Sequence, residues 1–159
     1  MGKEVKTNAM RILEKQKIPY TFKTYDCEEF TDGMETVRRL GLPPEKVFKT
    51  LVTVGKSRNY FVFVIPVAEE LDLKKAAKAV GEKSVEMIPV KDITKITGYV
   101  RGGCTSVGMK KQFPTVLHKS ALNHEKIWVS GGRIGLQIQL APQDLLKANG
   151  GKSEDITKE

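Results

Sequence analysis

Apolar residues change their spacing several times along this chain, and each change marks an element. Between Thr7 and Lys17, Ala9, Ile12 and Leu13 fall on one helical face, and Pro19 stops the pattern. Tyr20, Phe22 and the threonine-rich alternation through Tyr25 predict a half-buried strand, because aromatic and β-branched side chains fit a pleated surface. Asp32 followed by Glu35 forms a capping box for a second helix. Met34, Val37 and Leu40 supply its buried stripe, and Gly41 stands where the chain leaves it.

Pro43-Pro44 leads rigidly into Val47–Val54, which with Tyr60–Pro66 predicts two apolar strands joined by a turn at Gly55–Asn59, the centre of a sheet. Asp72 caps a third helix carrying Leu73, Ala76, Ala77 and Val80, and Gly81 ends it. Ser84–Ile88 is strand-like, and Val90–Ile96 predicts a short helix behind Pro89. Thr115–Leu117, Ile127–Ser130 and Ile134–Leu140 predict further strands, and Pro142 and Gly150 bracket a last helix around Leu145-Leu146. Strands and helices intermix without a regular βαβ repeat. The expected fold is therefore α+β: a single domain over residues 1–150 with a mixed, curved, barrel-like sheet and flanking helices, then a polar tail over 151–159 that frays.

Composition narrows the class. With 159 residues, 40% of them hydrophobic, the chain can bury a core without staples. Residues 1–15 hold no signal-peptide core, and the longest apolar run, Tyr60–Ala68, falls well short of the roughly 18 residues a membrane helix needs. Cys27 and Cys104 form no CxxC pattern, and His118 and His124 have no zinc spacing, so a reducing cytoplasm is expected, without metal or cofactor. A formal charge of +8, with the pairs Arg38-Arg39, Lys74-Lys75 and Lys110-Lys111, suits a polyanionic partner. A monomer is the simplest expectation at this size.

Lys49 carries the most information. It interrupts a strand whose two faces both look buried, and a lysine in such a place is paired, functional or snorkelling to water from the strand's start. The segment Gly98-Tyr99-Val100-Arg101-Gly102-Gly103-Cys104-Thr105-Ser106-Val107-Gly108 is glycine-rich enough for backbone amides to approach an anion, yet it meets neither a dinucleotide nor a Walker pattern. Ser130-Gly131-Gly132 is a turn in which Ser130 contacts either a ligand or its own backbone. Cys104 reads as a small buried hydrophobe rather than a nucleophile.

In order and spacing, several stretches resemble the YbaK/EbsC family of free-standing editing proteins: Ile18-Pro19, Thr24-Tyr25-Asp26, Val47–Leu51, Leu73–Lys78, Gly98–Gly103, Val129–Gly132 and Leu140-Ala141-Pro142. The resemblance implies hydrolytic editing of aminoacyl-tRNA, with Cys-tRNA(Pro) as substrate. It places the catalytic role on Lys49 and substrate contacts on Tyr25, Phe30, Thr50, Gly102, Gly103, Ser130 and Gly131. Lys49 and the amides near Gly102-Gly103 would hold the tRNA terminus and the developing oxyanion. The substrate's own thiol would attack the ester, water being the alternative. Implied partners are mischarged tRNA(Pro) and prolyl-tRNA synthetase.

The chain departs from that pattern twice. Cys104-Thr105-Ser106-Val107-Gly108 lacks the proline many relatives carry in this loop, and Gln137 stands where some carry an acidic residue. Editing of alanine in the same fold, and a tRNA- or synthetase-binding module without turnover, are the competing expectations.

Overall fold

The computed structural model describes residues 6–26 and 33–158. Helix α1 (Asn8–Lys15) begins where the Thr7 hydroxyl accepts from the Met10 amide at 3.2 Å, and it buries Ala9, Met10 and Leu13. Then come β1 (Thr21–Thr24), α2 (Gly33–Leu40), β2 (Phe48–Gly55), β3 (Tyr60–Pro66), α3 (Leu73–Val80) and β4 (Val85–Met87). After these the chain forms α4 (Ile93–Thr97), β5 (Thr115–His118), β6 (Ile127–Ser130), β7 (Leu136–Leu140), α5 (Pro142–Asn149) and β8 (Lys152–Glu154).

The α+β architecture expected from the sequence is present as two ladders. One runs β4-β2-β3-β5-β8 and the other β1-β7-β6. Strand β3 is central: Val62 to Ile65 are fully buried, and it pairs antiparallel with β2 and parallel with β5. The ladders meet at a parallel bridge between Val47 and Trp128, so β2 runs out of one ladder into the other. On one face, Phe48, Val64 and Leu117 pack with α1, α5 and the inner side of β6 and β7. On the other, Phe61, Phe63 and Ile65 pack with Ala76 and Ala77 of α3. Among the described residues, no helix is long and apolar enough to cross a membrane.

Three local expectations change. Strand β1 is exposed at all four residues, with Phe22 41% accessible, because it is an edge strand paired only to β7; Tyr20, just before it, packs against the core instead. In α2 the buried residues are Thr36 and Val37, and Met34 is turned outward at 37% accessibility. The capping box cannot be followed, since Asp32 lies outside the described residues.

The polar tail does not fray. Lys152–Glu154 adds β8 alongside β5, Ile156 is fully buried with the α3 side of the core, and Lys75 Nζ donates to Asp155 at 3.2 Å and to the Thr157 carbonyl at 2.9 Å. One apolar residue among polar neighbours is enough when backbone groups are paired as well. Here the Ile156 amide donates to His118 Nδ1 at 3.2 Å, and the Ile156 carbonyl accepts from the Asp72 amide at 2.8 Å.

That contact makes stability sensitive to pH. Burial holds the His118 imidazole below its ordinary pKa; Glu69 and Asp155 pull it up, and Lys119 and Lys75 push it down. As pH falls past about 6.5 the unfolded chain takes up this proton first, whereas the folded imidazole resists because burial disfavours its charged form. The contribution is full above about pH 6.5 and is lost as pH drops from there toward the folded pKa. Between about pH 7.5 and about pH 5.5, the urea midpoint should fall further for the wild type than for His118→Gln. Parallel losses in the two proteins would remove the imidazole as the cause.

Candidate active site

Strand β2 has β3 on one side along its whole length; on its other side, among the described residues, the chain bridges to β6 only at Val47, just before β2 begins, and β2 pairs with β4 only from Thr53 to Gly55. The Ile88 amide adds a bond to the Val52 carbonyl at 3.2 Å. Between these attachments, Lys49, Thr50 and Leu51 border a cavity of about 570 Å³, a volume suited to a small ligand, with a mostly apolar lining. Lys49 is half-buried and faces this space beside Thr50, so it neither sits in the core nor lies on the open surface.

The far wall comes from β6 and β7. Beyond the bridge between Val47 and Trp128 the cavity lies between β2 and this wall, where Ser130 is register partner to Gln137. Lys49 on β2 and the pair Ser130 and Gln137 on β6 and β7 all line the cavity. Ser130 also does what a turn serine commonly does, accepting from the Gly132 amide at 3.3 Å.

The glycine-rich loop forms the rim. Gly102 lines the cavity with φ of 85°, a conformation that side chains disfavour, and Arg101 lines it next door. The loop is held from several directions. Tyr99 is buried and donates from its hydroxyl to the Val107 carbonyl at 2.6 Å, and its amide donates to Thr97 Oγ1 at 3.0 Å. Gly103 rests on the backbone of the 131–135 turn, where an added Cβ would lie 2.7 Å from Arg133 Cα. Thr7, besides capping α1, donates to the Gly131 carbonyl at 2.6 Å.

The residues expected at the site thus separate into groups. Lys49, Thr50, Gly102 and Ser130 line one cavity. Tyr25 stands behind it: its hydroxyl is 2.8 Å from Thr36 Oγ1, Thr36 lines the wall, and Arg39 covers the ring at 5.9 Å from its centroid. Gly103 and Gly131 serve close packing, the latter against Leu136, whose Cγ would lie 2.6 Å from an added Cβ. Phe30 lies outside the described residues. Sequence reasoning passed over Met34, Thr36, Met87, Val90 and Arg101 as lining residues. Met87 and Val90 are 47% and 53% accessible, exposed apolar side chains at the cavity's edge. Arg101 was visible only as one letter of a glycine-rich segment.

Cys104 lines the cavity too, but burial pushes its thiol up to about 11, against a smaller lowering by Thr97. It stays protonated near neutrality and is a poor nucleophile.

Two outcomes follow from this geometry. Gly103→Ala forces the glycine-rich loop off the Arg133-Ile134 backbone and should cost about 1–3 kcal/mol in chemical denaturation. Iodoacetamide at about pH 8 should modify native Cys104 on the order of a hundredfold more slowly than the unfolded residue, read by peptide mass spectrometry. Equal rates would show that the thiol is not held in its protonated form.

Residues 28–148 match the family described as the aminoacyl-tRNA editing domain. The chain is 48% identical to EbsC of Enterococcus faecalis, which carries the name of a Cys-tRNA(Pro)/Cys-tRNA(Cys) deacylase, over 96% of this chain and 93% of that one. An alignment of 107 positions that covers 60% of this chain and 18% of a proline–tRNA ligase of Fervidobacterium nodosum is 30% identical. Among solved structures, one described as a trans-editing enzyme for prolyl-tRNA synthetase superposes with a TM-score of 0.81 at 23% identity, covering 98% of this chain and 100% of that one. With a match across most of its length and a near-full-length relative, the chain belongs to the aminoacyl-tRNA editing domain family.

Proposed function

We propose that this protein is an aminoacyl-tRNA deacylase acting in trans in the cytoplasm, removing cysteine from tRNA(Pro) charged in error. The observation that supports this most is the placement of Lys49 in the cavity between the two ladders, which Gly102 and Ser130 also line. Membership of the editing family and the name of the EbsC relative support the substrate class.

An aminoacyl ester is already activated, so catalysis here consists largely of positioning it and stabilising the tetrahedral oxyanion. The amino acid is the free end of the charged tRNA, so it enters first while the ribose and phosphates remain toward the rim. The Lys49 ammonium meets the ester carbonyl oxygen, and the Gly102 region offers backbone amides to the same charge. For a cysteinyl substrate, the substrate sulfur attacks its own carbonyl carbon. The C–S bond forms, the bond from carbonyl carbon to ribose oxygen breaks, and the thiol proton passes to the departing ribose oxygen. Water then opens the resulting thiolactone to free cysteine. The protein's own Cys104, held protonated, is unsuited to that attack.

The basic charge of the chain favours the tRNA backbone, and likeness to a segment of a proline–tRNA ligase supports prolyl-tRNA synthetase as the partner that selects the tRNA. The decisive experiment follows amino-acid release from Cys-tRNA(Pro), Ala-tRNA(Pro) and Pro-tRNA(Pro). Selective release of cysteine is expected, with Lys49→Ala lowering kcat/KM by about 10²–10³-fold while tRNA binding and the melting temperature persist. Equal turnover of the alanyl ester would point to a thiol-independent editing enzyme. Salt-dependent tRNA binding without turnover of any of the three would leave a binding module.

A further inference from the structure

Gln137 is only 8% accessible, and its Oε1 is fully buried without a hydrogen-bond partner among the described residues, although the side chain lines the cavity. Its neighbour two positions along the same face behaves differently, since Gln139 Oε1 accepts from the Thr21 hydroxyl at 3.2 Å. Nor does the residue opposite on β1 turn toward it: Lys23, the register partner of Gln137, lies over the Trp128 ring with Nζ 5.6 Å from the centroid. An acceptor shut away from water without a donor is costly, and a fold keeps one where a donor arrives from outside.

Resting on the deacylase reading above, we propose that Gln137 Oε1 accepts a hydrogen bond from the α-amino group of the bound aminoacyl ester. It would thereby be the residue that recognises the substrate as an amino acid. The argument is one of depth and order. A charged tRNA terminus has a single free end, the amino acid, while its ribose is tethered to the rest of the molecule and stays near the mouth beside Arg101. The donor every aminoacyl group carries is its α-amine, two bonds from the carbonyl carbon. Gln137 on β7, paired across from Ser130 on β6, and Lys49 on β2 line the same space. With the ester carbonyl oxygen at Lys49, the amine is the donor this cavity has left for the unpartnered acceptor of Gln137.

This assignment separates Gln137 from a merely structural residue, because the effect of removing it depends on whether the substrate has an amine. Wild type and Gln137→Met are compared on Cys-tRNA(Pro) and on 3-mercaptopropionyl-tRNA(Pro), which keeps the thiol and ester but lacks the amine. On the cysteinyl ester the variant should lose about tenfold or more in kcat/KM; on the analogue the two proteins should agree within about twofold. Gln137→Glu, which retains an acceptor, should recover most of the loss. Gln137→Met should melt no lower than wild type, since an orphaned polar atom is exchanged for an apolar one. Equal losses on both substrates, no loss on either, or a lowered melting temperature with substrate-independent loss would overturn the proposal. If wild type cleaves neither ester, the deacylase reading fails. The Gln137 assignment is then decided by calorimetric binding of 3′-cysteinylamino-3′-deoxyadenosine: tighter binding to wild type than to Gln137→Met supports it, and equal affinity overturns it.

Discussion

Among the described residues, β2 hydrogen-bonds to β3 along its length yet bridges to β6 only through Val47, just before its first residue, and pairs with β4 only at its end, so the second edge of its middle is left without a strand partner. An exposed strand edge ordinarily invites pairing with another chain. Here the edge opens into a cavity, with the glycine-rich loop across its mouth and α2 beside it, so the same feature that interrupts the ladder makes room for a ligand. The position of Lys49 follows from this. One strand later it would be a core residue, and a few residues further along β2 it would face β4.

The walls around that opening are tied to one another rather than separately to the core. Thr7 caps α1 and holds the 131–135 turn, the turn carries Gly103, and the Tyr99 hydroxyl closes the loop on Val107. A site assembled from two loops would ordinarily be less exact than one on rigid elements. The interlock transfers the rigidity of α1 and β6 to the backbone near Gly102, which is what stabilisation of a developing charge demands.

Much of this was legible in the amino-acid sequence, and what was not has physical reasons. Helices with a cap at one end and a glycine at the other, α3 above all, could be placed from Asp72 and Gly81 because both signals act within a turn. The hairpin of β2 and β3 was equally plain. The tail was misjudged because pairing of β8 with β5 and burial of Ile156 against α3 depend on partners far away in the chain, which composition cannot show. At the site, Lys49 stood out through its contrast with apolar neighbours, and the glycines through their density. Met34 did not, because an apolar residue in helical register looks the same whether it faces a core or a cavity. Thr36 and Tyr25 form a pair only in three dimensions.

Buried polar atoms without partners bear on the same question from the side of stability. Among the described residues these are Thr105 Oγ1, Ser120 Oγ and Gln137 Oε1. Two of the three belong to the cavity's surroundings: Gln137 lines it, and Thr105 follows the lining residue Cys104 in the glycine-rich loop. Each such atom costs about 1–3 kcal/mol against a partnered one, a large share of a domain's net stability. A fold whose consistency at other levels is high, with a fully buried central strand, keeps one of these atoms where binding can offset the cost. At Gln137 the cavity wall thus holds an acceptor left unpaired by the described residues, in the place where a bound aminoacyl group would supply the missing donor.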